Sequence, residues 1–168
     1  MPATYEPIAT QTLASAAASI TFSSIPATYT DLRLVFTGTQ SVVTDIFYWF
    51  NNDQTNLYSQ TTLNGDGTTA SSGTNLNRAN IDVNALKGEG SLTIPKMITI
   101  DVFSYIGSTY KTALFNFIGD ENGGIYTAVV LGVSLYRSTS AITSINIGPA
   151  SGNLAIGTTA TLYGIKAA

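Results

Sequence analysis

Along most of the chain, apolar side chains recur at every second position, the period of a strand with one face in a core. In residues 31–37, Leu32, Leu34 and Phe36 point one way while Arg33, Val35 and Thr37 point the other. Residues 96–105 alternate in the same manner, Ile98, Ile100 and Val102 against Thr99, Asp101 and Phe103. Residues 112–118 set Leu114 and Ile118 against Phe115 and Phe117. Residues 46–50 are apolar throughout, which fits a short strand buried on both faces. Further strands are predicted over 125–136, 141–147 and 160–165.

Turn chemistry separates these runs. Pro26 with its neighbours, Asn64-Gly65-Asp66-Gly67 and Gly119-Asp120-Glu121-Asn122-Gly123-Gly124 all read as turns, the last as a hairpin. The Ala-rich residues 13–18 are too short for a stable helix and carry no apolar stripe, so they read as a turn between strands. Residues 68–85 show weak periodicity and are expected to form a long excursion between core strands. About eight to ten short strands with almost no helix imply an all-β protein, either two packed antiparallel sheets or a closed barrel, with an antiparallel β-sandwich of the jelly-roll kind the first expectation. The 168 residues suit one domain over 1–168, and no internal repeat suggests a propeller or solenoid.

Composition narrows the chemistry. There is no Cys and no His, which excludes disulfides, thiolate or imidazole metal sites, cysteine nucleophiles and a Ser-His-Asp triad. Only 10% of residues are charged, and the net charge is -3, a poor match to a phosphate backbone, so nucleic acid is not an expected partner. Solubility instead falls to 25 Thr, 16 Ser and 12 Asn. So few charges suit a chain that lives within an assembly of its own copies. No apolar run approaches the length of about 20 residues that spans a bilayer, so no membrane is expected as a partner. The first residues hold an acid and no basic group, unlike a secretory leader, so synthesis and assembly in a cytoplasm are expected.

Paired carboxylates are the one catalytic device left, as in glycoside hydrolysis. Asp101 lies in an otherwise apolar strand, but on its polar face, where it reads as a solvated acid near Lys96 or Lys111. Asp120 and Glu121 suit a hairpin tip. No catalytic residue, cofactor site or metal site is therefore assigned. The oxygen donors of residues 51–56 and 64–67 do not follow the spacing of a calcium loop, and Gly65 and Gly67 lack the following helix and Lys of a phosphate cradle. Among the aromatics, Phe36, Phe47, Phe115, Phe117 and Trp49 fall at core phase. Tyr58, Tyr110 and Tyr126 fall near strand ends or loops, where an exposed ring suits a glycan or a protein partner.

Several stretches together resemble a family of small virion structural proteins of tailed bacteriophages. They include Tyr5-Glu6-Pro7-Ile8-Ala9-Thr10, Ser19-Ile20-Thr21-Phe22-Ser23-Ser24-Ile25-Pro26-Ala27-Thr28-Tyr29-Thr30-Asp31-Leu32, Asn51-Asn52-Asp53 and Tyr58-Ser59. Towards the end of the chain they continue with Ala141-Ile142-Thr143-Ser144-Ile145, Ser151-Gly152-Asn153-Leu154 and Ala160-Thr161-Leu162-Tyr163-Gly164-Ile165-Lys166. The resemblance implies a jelly roll or related β-sandwich on the exterior of the virion, as a capsid decoration (cement) protein or as part of a tail fibre, and it brings no catalytic residues. The first expectation is a homotrimer on the major capsid protein, with residues 1–12 and the loops facing the shell. The alternatives are a tail-fibre or receptor-binding component that meets a host glycan through residues 68–85 and the exposed tyrosines, and a glycan-cleaving enzyme using Asp101 or Asp120.

Overall fold

The computed structural model describes residues 4–83, 93–120, 122 and 128–166. Its strands are β1 (Tyr5–Thr12), β2 (Ile20–Phe22), β3 (Asp31–Gly38), β4 (Ile46–Phe50), β5 (Tyr58–Gly65) and β6 (Ala70–Arg78). They continue with β7 (Ile81–Asp82), β8 (Lys96–Phe103), β9 (Lys111–Gly119), β10 (Ala128–Tyr136), β11 (Ile145–Pro149) and β12 (Thr159–Ile165). One sheet has eight strands in the order β1-β12-β3-β8-β9-β10-β5-β6, and the other has four, β2-β11-β4-β7. Every pairing is antiparallel. The protein is an antiparallel β-sandwich. Its chain ends are nested, β1 beside β12 and β2 beside β11, with β5 beside β10 further in, which is the winding of a jelly roll.

The alternation read from the sequence places the inward residues correctly in the strands with apolar inner faces. Leu32, Leu34, Phe36, Ile98, Ile100, Val102, Phe115 and Phe117 are all buried. In β4, Ile46, Tyr48 and Phe50 face the core, while Phe47 and Trp49 are only partly covered, so the strand is not buried on both faces and neither Phe47 nor Trp49 is a full core residue. The excursion expected over residues 68–85 is instead largely strand. β6 pairs along β5, and β7 joins the small sheet beside β4. Residues 13–18 are not helical, as expected, and residues 141–144 precede β11 rather than forming part of it. Ile125–Thr127 of the expected 125–136 strand, and part of the hairpin tip at Glu121, lie outside the described residues.

β5 escaped the apolar pattern because its inward side is polar. Gln60, Thr62 and Asn64 follow Tyr58 on the buried face. Gln60 resolves its burial by imitating a strand: its Nε2 donates to the Asp82 carbonyl at 2.7 Å, and its Oε1 accepts from the Asp82 amide at 2.8 Å. A side chain of the large sheet thus supplies backbone-like bonds to β7 of the small one, meeting the rule that buried polar groups find partners.

The two sheets meet over an aromatic seam. Tyr48 of β4 lies edge-on to Phe115 of β9, with ring centroids 6.1 Å apart, and Phe50 lies 5.6 Å from Tyr136 of β10. Tyr58 and Tyr136 stack at 4.7 Å. Gly132 of β10 makes room for this packing, since a Cβ built there would lie 2.0 Å from Phe115 Cζ.

Two predictions follow from that seam. Gly132→Ala forces the buried Phe115 ring to move and is expected to cost about 1–3 kcal/mol, seen as a lower urea midpoint with an unchanged m-value. Burial raises the hydroxyl pKa values of Tyr48, Tyr58, Tyr105 and Tyr136 in the folded state. A raised folded pKa gives stability that is complete below the unfolded value, about 10. Above it, stability is lost with rising pH. Tyrosinate absorbance should therefore show these four rings ionising in one cooperative step together with loss of the circular dichroism signal. A gradual titration of all tyrosines in a still-folded protein would contradict the buried seam.

Candidate functional site

The polar motifs singled out in the sequence prove to be structural. Asn51 and Asn52 both have positive φ, 53° and 52°, a left-handed conformation that Asn tolerates better than most residues. The Asn51 side chain clamps the strand-free segment before β11: Oδ1 accepts from the Thr143 amide at 2.8 Å, and Nδ2 donates to the Ala141 carbonyl at 2.9 Å. Asp53 Oδ1 accepts from the amide and hydroxyl of Thr55, and Oδ2 accepts from the Tyr136 hydroxyl at 2.8 Å. These bonds, led by that of the Thr55 hydroxyl, hold its carboxyl below the usual range. Asp66 likewise caps the β5–β6 turn by accepting from the amides of Thr68 and Thr69. The side-chain oxygens of Asn51, Asp53 and Asp66 are thus committed to local structure, and no cluster of three or more acids stands among the described residues.

Asp101 is not a solvated acid beside Lys96 or Lys111. It forms a two-pronged pair with Arg33 of the adjacent β3, at 2.5 Å from Nε and 2.7 Å from Nη2, and Arg33 lies over the Tyr5 ring. Lys111 is buried, with Nζ donating at 2.6 Å to the carbonyls of both Gly107 and Thr109. Desolvation lowers its pKa. Lys96 is buried as well, with its stem against Gly119.

The three tyrosines offered as contacts fare differently. Tyr58 is fully buried, and its hydroxyl accepts from the Phe50 amide at 3.0 Å and donates to the Asp53 carbonyl at 2.9 Å. Proximity to a strand end suggested exposure, but β4 and β10 close over the ring, so Tyr58 is a core residue and not a contact. Tyr110, just before β9, is 56% exposed. Tyr126 lies outside the described residues. β1, the terminal strand expected to add to a neighbouring sheet, is an edge strand, interrupted by Pro7 and by a register shift between Pro7 and Ala9.

The outer face of the large sheet is the feature that the sequence reading missed. It is divided in two. On the β1, β12, β3 and β8 side it is polar: Thr10 bonds to Thr161 at 3.0 Å, Thr12 bonds to Thr159 at 2.9 Å, and Arg33 pairs with Asp101. On the β9, β10, β5 and β6 side it is apolar. Val129 lies opposite Ile118, Leu131 opposite Leu63, and Val133 opposite Leu114, and all six side chains are exposed, Val129 at 58% and Leu63 at 56%. Met97 of β8 extends this patch beside Ile118. Around them stand Ser59, Thr61, Ser72, Thr74, Thr112 and Asn116; no outward residue of β5, β9 or β10 is charged, and β6 carries one exposed charge, Arg78, at its end. A shallow depression of about 380 Å³ lies over Gly132, walled by Leu63, Leu114, Leu131 and Val133. The signal was present in the sequence as the second apolar phase of β9 and β10, but alternation with apolar residues in both phases does not say which phase is inside.

No family description matches the chain, and no curated protein does. Among solved structures, exo-inulinase from Aspergillus awamori aligns at 13% identity and a TM-score of 0.45, over 96% of this chain and 29% of that chain. This chain therefore spans less than a third of that enzyme's length. Galectin LEC-6 from Caenorhabditis elegans aligns at 10% identity and 0.39, over 88% of this chain and 92% of that chain. The mouse laminin alpha1 chain domains LG4-5 align at 14% and 0.35, over 91% of this chain and 40% of that one. At these scores the likenesses carry no functional argument, and the assignment as an antiparallel β-sandwich rests on the strand order and register above.

The reassignment of Tyr58 makes a direct prediction. Tyr58→Phe leaves the buried Phe50 amide without its acceptor and should cost about 1–3 kcal/mol in chemical denaturation. Tyr110→Ala, at an exposed position, should stay within about 0.5 kcal/mol of the parent.

Proposed function

We propose that this protein is a structural component of a tailed-bacteriophage virion, a capsid decoration protein that binds the outer surface of the major capsid shell as a homo-oligomer. It would be made in the host cytoplasm and end on the exterior of the particle. The observation that carries this reading is the apolar half of the outer sheet face, which has no charge on the outward side of β9, β10 or β5. Large exposed apolar patches mark surfaces that are covered in use. The family resemblance in the sequence supports the same reading, and so does the commitment of Asp53 and Asp101 to structural bonds. Such a protein works by spreading its contacts over neighbouring shell subunits, so that expansion or internal pressure must break many interfaces together.

Quantitative mass spectrometry of purified virions tests the reading through the molar ratio of this chain to the major capsid protein. A ratio near that of the shell protein, with rebinding of purified protein to stripped shells, is the expected result. A few copies per particle, with binding to isolated tails and not to shells, would overturn it in favour of a tail-fibre component that contacts host polysaccharide.

A further inference from the structure

We infer that the apolar half of the outer face of the large sheet is covered by a second copy of this chain, so that the oligomer is held by sheet-on-sheet contact. The inference rests on the reading of the protein as an assembly component, and it names the partner that occupies the exposed surface. Folding does not require that surface, because its side chains point away from the core. The same sheet shows the alternative on its other half, where outward positions hold threonine pairs and the Arg33–Asp101 ion pair. Into β5 and β9 that pattern continues only in part, with Thr61 bonded to Thr74 and Asn116 to Thr99, and on β10 it stops, where Val129, Leu131, Val133 and Leu135 alternate outward.

Area, charge and shape each favour a second copy. The strip from β9 to β6 is four strands wide and about eight residues long. At a spacing of about 4.8 Å and a rise of about 3.4 Å it covers roughly 500 Å² in projection. Its corrugated accessible area is larger, which brings it to the scale of about 800 Å² per partner that stable protein pairs bury. In a contact across a two-fold axis, residues near the axis meet their own copies, so a charge there would face its own kind. The outward residues of β9, β10 and β5 carry no charge of either sign, and Arg78, the exposed charge of β6, stands at that strand's end on the sheet edge. The depression over Gly132 gives the facing copy a place for a projecting side chain, with Leu131 and Leu63 standing at its wall. Two sheet faces of this kind pack about 10 Å apart with their side chains interleaved.

Light scattering coupled to size exclusion, with sedimentation equilibrium over a range of concentrations, tests the inference. The parent protein is expected to run as an oligomer. Leu131→Asp is expected to weaken association by about 100-fold or more, because each copy would bury an unpaired carboxylate, while circular dichroism and melting show a folded chain. Thr10→Asp, on the polar half, should leave the oligomer intact. Leu63→Lys on the neighbouring strand provides a second probe should Leu131→Asp fail to fold. Hydroxyl-radical footprinting of the parent protein adds a readout that needs no variant: Leu63, Leu114 and Leu131 should become protected as concentration rises.

A parent protein that stays monomeric at high micromolar concentration would overturn the inference. So would an oligomer indifferent to both Leu131→Asp and Leu63→Lys, or unchanged labelling of the three leucines. The outcome is separable from the proposed function. An oligomer broken by Leu131→Asp that ignores stripped shells upholds the inference and removes the decoration role. A monomer that binds shells through this face does the reverse.

Discussion

The structure depends on one constraint: two sheets of unequal width must close over aromatic rings whose hydroxyls still find partners. Tyr48 reaches across to Ser134 at 2.6 Å, Tyr58 holds the Phe50 amide, and Tyr136 donates to Asp53. Each bond joins an apolar ring in the core to a polar group at its border, so burial of the ring carries no orphaned hydroxyl. The four-stranded sheet covers only part of the eight-stranded one. Tyr48, Phe50 and the Gln60–Asp82 bonds fix where it lies.

That arrangement leaves the outer face of the large sheet free of any duty in folding. Its inward residues are dictated by the core, whereas its outward residues answer only to what lies outside. The division of the face into a hydroxyl-rich half and a hydrocarbon half is therefore information about use. The hydroxyl half is completed by its own threonine pairs and ion pair, whereas the hydrocarbon half has the Thr61–Thr74 bond at its β5–β6 margin and nothing that covers its exposed leucines and valines. The carboxylates that resemble ligands in the sequence follow the opposite logic. Asp53, Asp66 and Asp101 are already occupied by a turn, a hairpin and an arginine, so their chemistry is spent inside the fold.

Legibility varied with the source of each strand's stability. β3, β8, β9 and β12 are readable because their inward positions are apolar and their pattern is local. β5 and β6 are not, because the inward positions of β5 are polar, and Gln60 becomes acceptable inside only through a distant partner, the Asp82 backbone. Tyr58 was misread for the same reason. Its neighbours in sequence mark a strand end, while the rings that bury it belong to β4 and β10.

By itself, the sequence determined the all-β class, the antiparallel sandwich and the exclusion of thiol and imidazole chemistry, since period-two alternation and missing residue types are local facts. Only the tertiary structure decided which phase of β10 faces inward, which acids are occupied and where the exposed hydrocarbon gathers. Leu114, Leu131 and Leu63 are unremarkable on three separate strands. They become a surface only when long-range antiparallel register sets those strands side by side.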